Sequence, residues 1–169
     1  MRKSERLELA FTGPSTLLQQ WQLKWFLSFN NNGGEAMDIV KKFGPLVGRI
    51  LLALIFIISG FGKIVGFDGT VGYIQSAGLP AAQLGAIVAI IVELGGGILL
   101  VIGWKARWAA AALFIFVFFA GIFFHAFWAS PPEQAMMQQI QFMKNLAIMG
   151  GMLYIVVYGS GPLSVDKNP

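Results

Sequence analysis

Apolar residues gather along this chain into four long runs, at residues 44–66, 81–103, 108–128 and 141–158. A helix that crosses a bilayer needs about 20 mostly apolar residues, because no water is available to satisfy its backbone. The first run, GPLVGRILLALIFIISGFGKIVG, meets that requirement and carries Pro45 where a first helical turn tolerates it. The second is entered through Gly78, Leu79 and Pro80, which punctuate a helix start, and the third is rich in Phe. The fourth is shorter and stops at Gly159, Ser160, Gly161 and Pro162. The pattern predicts an all-α integral membrane protein, a four-helix bundle with short loops.

Charge adds an orientation. Only 12% of the 169 residues are charged, against about 25% for an ordinary soluble domain. Lys41, Lys42, Lys105, Arg107 and Lys167 fall on one side of the four spans, whereas Lys63 and Lys144 lie at helix ends on the other. The positive-inside rule then puts both termini and the turn at 104–107 in the cytoplasm. Trp104, Trp108, Trp128, Tyr154 and Tyr158 lie near span ends, as an interfacial aromatic belt does. The net charge of +4 is explained by these anchors and does not point to nucleic acid. The absence of cysteine excludes disulfides, thiolate metal sites and thiol exchange, and one histidine is too few for a bis-histidine haem within the chain. No metal site is expected.

The first 36 residues differ from the rest. They lack the apolar core of a signal peptide. Leu17, Leu18, Trp21, Trp25 and Phe29 recur at helical spacing, so this extension is read as poorly ordered or as a short amphipathic helix, with a flexible break at 30–34. A further reading concerns the gene: Gly33, Gly34 and Glu35 back-translate to a purine-rich stretch just before Met37. That stretch resembles a ribosome-binding site, which makes Met37 the expected natural start and residues 37–169 the working domain.

Charged groups within the spans are costly and therefore informative. Arg49 sits about 8 Å into the first helix, at 1.5 Å per residue, and is expected to act as an anchor or as half of a structural ion pair, with Glu93 as one partner. Glu93 lies near the middle of the second span, too deep to reach an interface, and must be paired, hydrogen-bonded or protonated. Gly85, Ala89, Glu93 and Gly97 recur every four residues, a ridge that faces Glu93 toward another helix. His125 falls near the end of the third span, and the fourth opens with Gln141, Lys144 and Asn145. Under the topology above, Lys63, His125, Lys144 and Asn145 converge in the outer half of the bundle over Glu93. Such a site suits a small amphipathic ligand. A quinone fits the pattern: its carbonyls would accept from His125, Lys144 or Asn145, its tail would lie among Phe and Leu, and Glu93 would carry protons.

These residues, taken in order, resemble the DoxX family of small four-helix bacterial membrane proteins. The resemblance covers about residues 43–166. It rests on Arg49, Phe56, Ser59, Gly60 and Lys63 in the first helix, then on Tyr73 and Gly78-Leu79-Pro80. Glu93-Leu94-Gly95-Gly96, Leu99, Gly103, the basic turn and His125 follow, with Lys144-Asn145-Leu146 and Gly150-Gly151 in the fourth helix. Residues 159–166, GSGPLSVD, are similar to a closing Gly-x-Gly-x-x-Ser-x-Asp pattern. The resemblance implies a multi-pass protein of the bacterial inner membrane and a redox-associated subunit beside a membrane or periplasmic oxidoreductase; the residues themselves show no self-contained catalytic motif, and no covalent cofactor is expected. Two other classes stay open. One is a non-enzymatic scaffold, assembly or lipid-interacting protein; the other is a small-solute transporter, which four spans would support only as a homo-oligomer.

Overall fold

The computed structural model describes residues 17–166, so the readings for residues 1–16 and for Lys167 lie outside it. The chain divides into two compact units, Met1–Lys41 and Lys42–Pro169. In the first, the described residues are helical and belong to α1 (Leu17–Val65). Leu17, Trp21 and Trp25 follow one another at four-residue spacing on its exposed side; the side chains of Leu18 and Phe29 lie outside the description. The helix does not break at residues 30–34. Once a helix is nucleated each added residue contributes a backbone hydrogen bond, which offsets the about 1 kcal/mol that each of Gly33 and Gly34 costs.

The second unit holds the bundle. After α1 come α2 (Phe67–Ser76), α3 (Ala82–Ile102), α4 (Ala106–Phe124), a short 3-10 turn (Phe127–Ala129) and α5 (Pro132–Tyr158). Among the described residues, four segments are long and apolar enough to cross a membrane: Gly34–Val65, Ala82–Ile102, Ala106–Ala129 and Pro132–Tyr158. The core is built largely of small side chains, with Ala53, Ala106, Ala109 and Ala110 beside Phe56, Leu100, Leu113 and Met152. Small residues let helix backbones approach closely, which is how spans associate without a hydrophobic driving force between them. Two glycines of α3 sit at close approaches to the flanking spans. A side-chain carbon added at Gly97 would lie 2.8 Å from Ile57 of α1, and one at Gly96 would lie 2.8 Å from Leu113 of α4. Leu51, Ile58, Phe61, Ile91, Phe119 and Leu153 face outward, an apolar surface that only lipid accommodates at this extent.

Three features depart from the apolar pattern. Helix α5 starts at Pro132, nine residues before the expected span. Pro132 suits the first turn, and Glu133, Gln134, Ala135, Met136 and Met137 are good helix formers although too polar, as a group, to read as membrane. Helix α4 ends at Phe124, and His125 leaves helical geometry (φ −129°, ψ 36°), so Trp128 sits in the connection. Between the first two spans the chain forms α2, whose Val71 and Ile74 pack on Ala82 and Ala86 of α3.

Candidate functional site

The two ends of the bundle are built differently. At the end bearing the α3–α4 turn, residues 159–166 fold back over the helices. Asp166 accepts hydrogen bonds from the backbone N–H groups of Lys105 (2.9 Å) and Ala106 (3.2 Å), which are unsatisfied donors at the start of α4. The Val165 and Asp166 N–H groups donate to the carbonyls of Ile102 (3.1 Å) and Gly103 (2.9 Å), closing the end of α3. Arg107 donates to the carbonyls of Val156 (3.0 Å) and Val157 (2.7 Å) in the last turn of α5. Arg49 is fully buried beneath this cover; its Nη2 donates to the Leu163 carbonyl, and it lies against Gly103. Gly103 has φ +67°, and a methyl group there would strike the guanidinium. Residues 159–166, which sequence alone marks only as a recurring pattern, thus form a latch that caps helices in trans.

Glu93 does not pair with Arg49. The two cations of the apolar run 44–66, Arg49 and Lys63, are about 21 Å apart along α1 at 1.5 Å per residue, and Glu93 lies at the level of the second. Lys63 Nζ donates to both Glu93 carboxylate oxygens, at 2.7 and 3.0 Å, and to Ser59 Oγ at 2.6 Å. The Ser59 hydroxyl donates to Glu93 Oε1 at 3.3 Å, which closes the network. Its geometry follows from local structure. Ser59 and Lys63 are one turn apart on α1, so they share a face. Glu93 projects from a π-helical turn, Ile91–Gly95, where the extra residue re-aims the side chain. Gly60 lets α3 approach: a Cβ there would lie 3.3 Å from the Glu93 Cβ and 2.7 Å from Leu94. The carboxylate is almost fully buried, while a quarter of the Lys63 side chain is accessible.

That accessible part opens into a cavity of about 340 Å³ with walls from all four spans and α2. Phe56, Ile74, Phe116, Val117 and Phe124 supply its apolar surface, and Ser59, Lys63, Glu93, His125 and Asn145 its polar points. Tyr73 of α2 stacks on Phe124 at 5.0 Å between ring centres, next to His125. His125 Nδ1 lies 2.9 Å from Gln138 Oε1 of α5. With the amide oxygen accepting, Nδ1 carries the proton and Nε2 is left as the acceptor of a neutral ring.

Four of the five expected site residues thus meet in one cavity. Lys144 does not join them: it is exposed and lines a separate shallow groove with Gln139, Ile140, Met143 and Ala147. Successive helical residues are about 100° apart, so with Asn145 turned inward against Gly121, Lys144 must turn outward. Gln141 is half-buried and outside the cavity wall. Gln138 and Tyr73 take part instead; the spacing from Gln138 to Asn145, two helical turns, places them on one face and is the signal that would have found the first. Among the described residues no three His, Asp or Glu side chains cluster as metal ligands do.

Four apolar spans around a mostly apolar cavity that holds a buried ion pair define a small multi-pass membrane protein with a ligand-sized opening within the bundle. The DoxX family model matches residues 44–126. The inner membrane protein YphA of Escherichia coli K12 is 37% identical over 123 residues, which cover 73% of this chain and 88% of that protein. The inner membrane protein YqjF of the same organism is 35% identical over 131 residues, 78% of this chain and 95% of its own. The chain belongs to the DoxX family, and it is a multi-pass inner-membrane protein. A more distant similarity reaches the Surfeit locus protein 4 homolog of Schizosaccharomyces pombe, 29% identical over 130 residues, 76% of this chain but 38% of that longer protein. No solved structure matches the chain.

Proposed function

We propose that this protein binds a small amphipathic ligand, of which a quinone is the best fit, in the cavity over Glu93, and that it serves as a redox-associated subunit beside an oxidoreductase. The observation that carries this reading is the enclosure of a Lys–Glu pair in a mostly apolar cavity of about 340 Å³, near the lower end of the about 300–1,000 Å³ of ligand pockets. That volume suits one ring-sized head group, with the tail leaving between the spans. Lys63 donates to one head-group oxygen and Asn145 to the other, His125 Nε2 accepts from the hydroxyl of the reduced head group, and Glu93 takes up or releases the proton that accompanies a change of redox state. The electrons are exchanged with the partner enzyme. Lys42, Lys105 and Arg107 at the latched end favour a cytoplasmic location for that end and for both termini, which opens the cavity toward the outer leaflet.

Titration of the purified protein with short-tailed ubiquinone and menaquinone analogues tests the reading. Glu93→Gln and His125→Ala should each weaken binding by about tenfold, the value of one hydrogen bond to a charged or polar head group. No binding by the wild type, or binding by both variants as tight as that of the wild type, rejects it. A second reading is favoured by one observation: Lys63 and Glu93 already satisfy each other and Ser59. The pair would then be a structural clasp between α1 and α3 in a scaffold, and Glu93→Gln would lower thermal stability with no ligand effect at all.

A further inference from the structure

Lys144 is a cation on a membrane-spanning helix that points away from the bundle. Its side chain is exposed and has no hydrogen bond or ion pair among the described residues. An ammonium in that position has to reach an anion or the interface. Lys144 lies about 21 Å along α5 from Tyr158 at 1.5 Å per residue, within a hydrocarbon layer of about 30 Å. Its distance to the other edge is therefore short. Helical side chains lean toward the helix N-terminus, so the amine leans toward that nearer edge, beside Gln139 and Ile140.

There the three residues share a shallow groove with Met143 and Ala147. Its upper part offers an ammonium and an amide, and its lower part is apolar. One turn further along, Gly150 is exposed, and a side chain added there would meet no atom within 4 Å. The groove therefore continues as an open furrow toward the bilayer centre. A cation and an amide at interfacial depth above an apolar furrow match a lipid phosphate above its acyl chain. Glu133 shares this face of α5 but lies about 16 Å away along the helix, beyond a Debye length.

We propose that Lys144 and Gln139 bind the phosphate of a glycerophospholipid whose head group carries no cation, with an acyl chain laid along Met143 and Ala147. An ammonium-bearing head group supplies its own cation to the phosphate and weakens the claim of Lys144 on it, so the site selects net-anionic lipid. This site is independent of the cavity over Glu93, and either can exist without the other.

Native mass spectrometry of the full chain in neutral detergent, titrated with palmitoyl-oleoyl phosphatidylglycerol and with the matching phosphatidylcholine, tests the proposal. One phosphatidylglycerol per chain should bind about fivefold more tightly than phosphatidylcholine, the worth of one basic group at a membrane surface. Lys144→Gln should abolish the preference, and Lys105→Gln, at the opposite end of the bundle, should keep it. Because Lys144 is exposed, the variant should retain the wild-type melting temperature, which confirms that folding is intact. Equal binding of the two lipids by the wild type overturns the proposal. So does a preference that survives in Lys144→Gln, or one that disappears in Lys105→Gln as well.

Discussion

Helix α1 carries a cation at each end of the bundle, and the two are treated in opposite ways. Arg49 is sealed under residues 159–166, its guanidinium directed at the Leu163 carbonyl and packed on Gly103. Lys63 meets a carboxylate, is backed by Ser59, and keeps part of its surface open to a cavity. A planar fork with several donors suits a site where the chain must be held by its backbone, whereas a single flexible ammonium suits one where partners can be exchanged. The comparison separates an end that maintains the bundle from an end equipped to bind.

The most damaging way to break the comparison is at the latch. Arg49→Ala should remove about 4 kcal/mol of stability, since it empties a filled site and orphans the Leu163 carbonyl, and Arg49→Lys should recover only part of that. Thermal unfolding in detergent measures both; a small loss for the alanine variant would show that the latch is not held by Arg49. At the open end, Glu93→Gln should cost about 2 kcal/mol by leaving Lys63 without its counter-ion, while Lys63→Met combined with Glu93→Leu should return close to wild type. If the double variant is as unstable as the single one, the pair is more than an exchangeable contact. Asp166→Asn keeps one acceptor for the start of α4 but loses its charge, for an expected cost of about 1 kcal/mol in the same assay. The smallest effect belongs to Gln138→Leu, about 0.5 kcal/mol, because His125 stays accessible to other acceptors. A larger loss would make the His125–Gln138 contact a second structural clasp and bring the two ends closer in character.

The spans were legible because hydrophobicity and length constrain a membrane helix directly, and Glu93 stood out because a carboxylate at that depth has no bland explanation. Its partner was not legible. Arg49 and Lys63 lie on the same helix, and only the register of α3 against α1, set by Gly60, Gly97 and the π-helical turn, decides between them. Lys144 was misplaced for a simpler reason: Asn145 is its neighbour, and helical geometry allows only one of them to face the cavity. Helix α2 was hidden by its length, since ten residues with Phe67, Val71 and Ile74 at helical spacing fall short of a span. The latch was hidden because a cap supplied from sixty residues away leaves no local trace.

That last contact has a consequence for how the protein is made. The N-terminus of α4 depends on a carboxylate that follows all four spans in the chain. Synthesis runs from the N-terminus, so during insertion the turn between α3 and α4 exists for some time with its backbone donors and the Arg49 guanidinium uncovered. The finished bundle therefore differs from an incomplete one at this turn as well as in the packing of α5. Asp166 is the last of the residues that close this turn to be made, so the start of α4 gains its cap only after the fourth span has been synthesised.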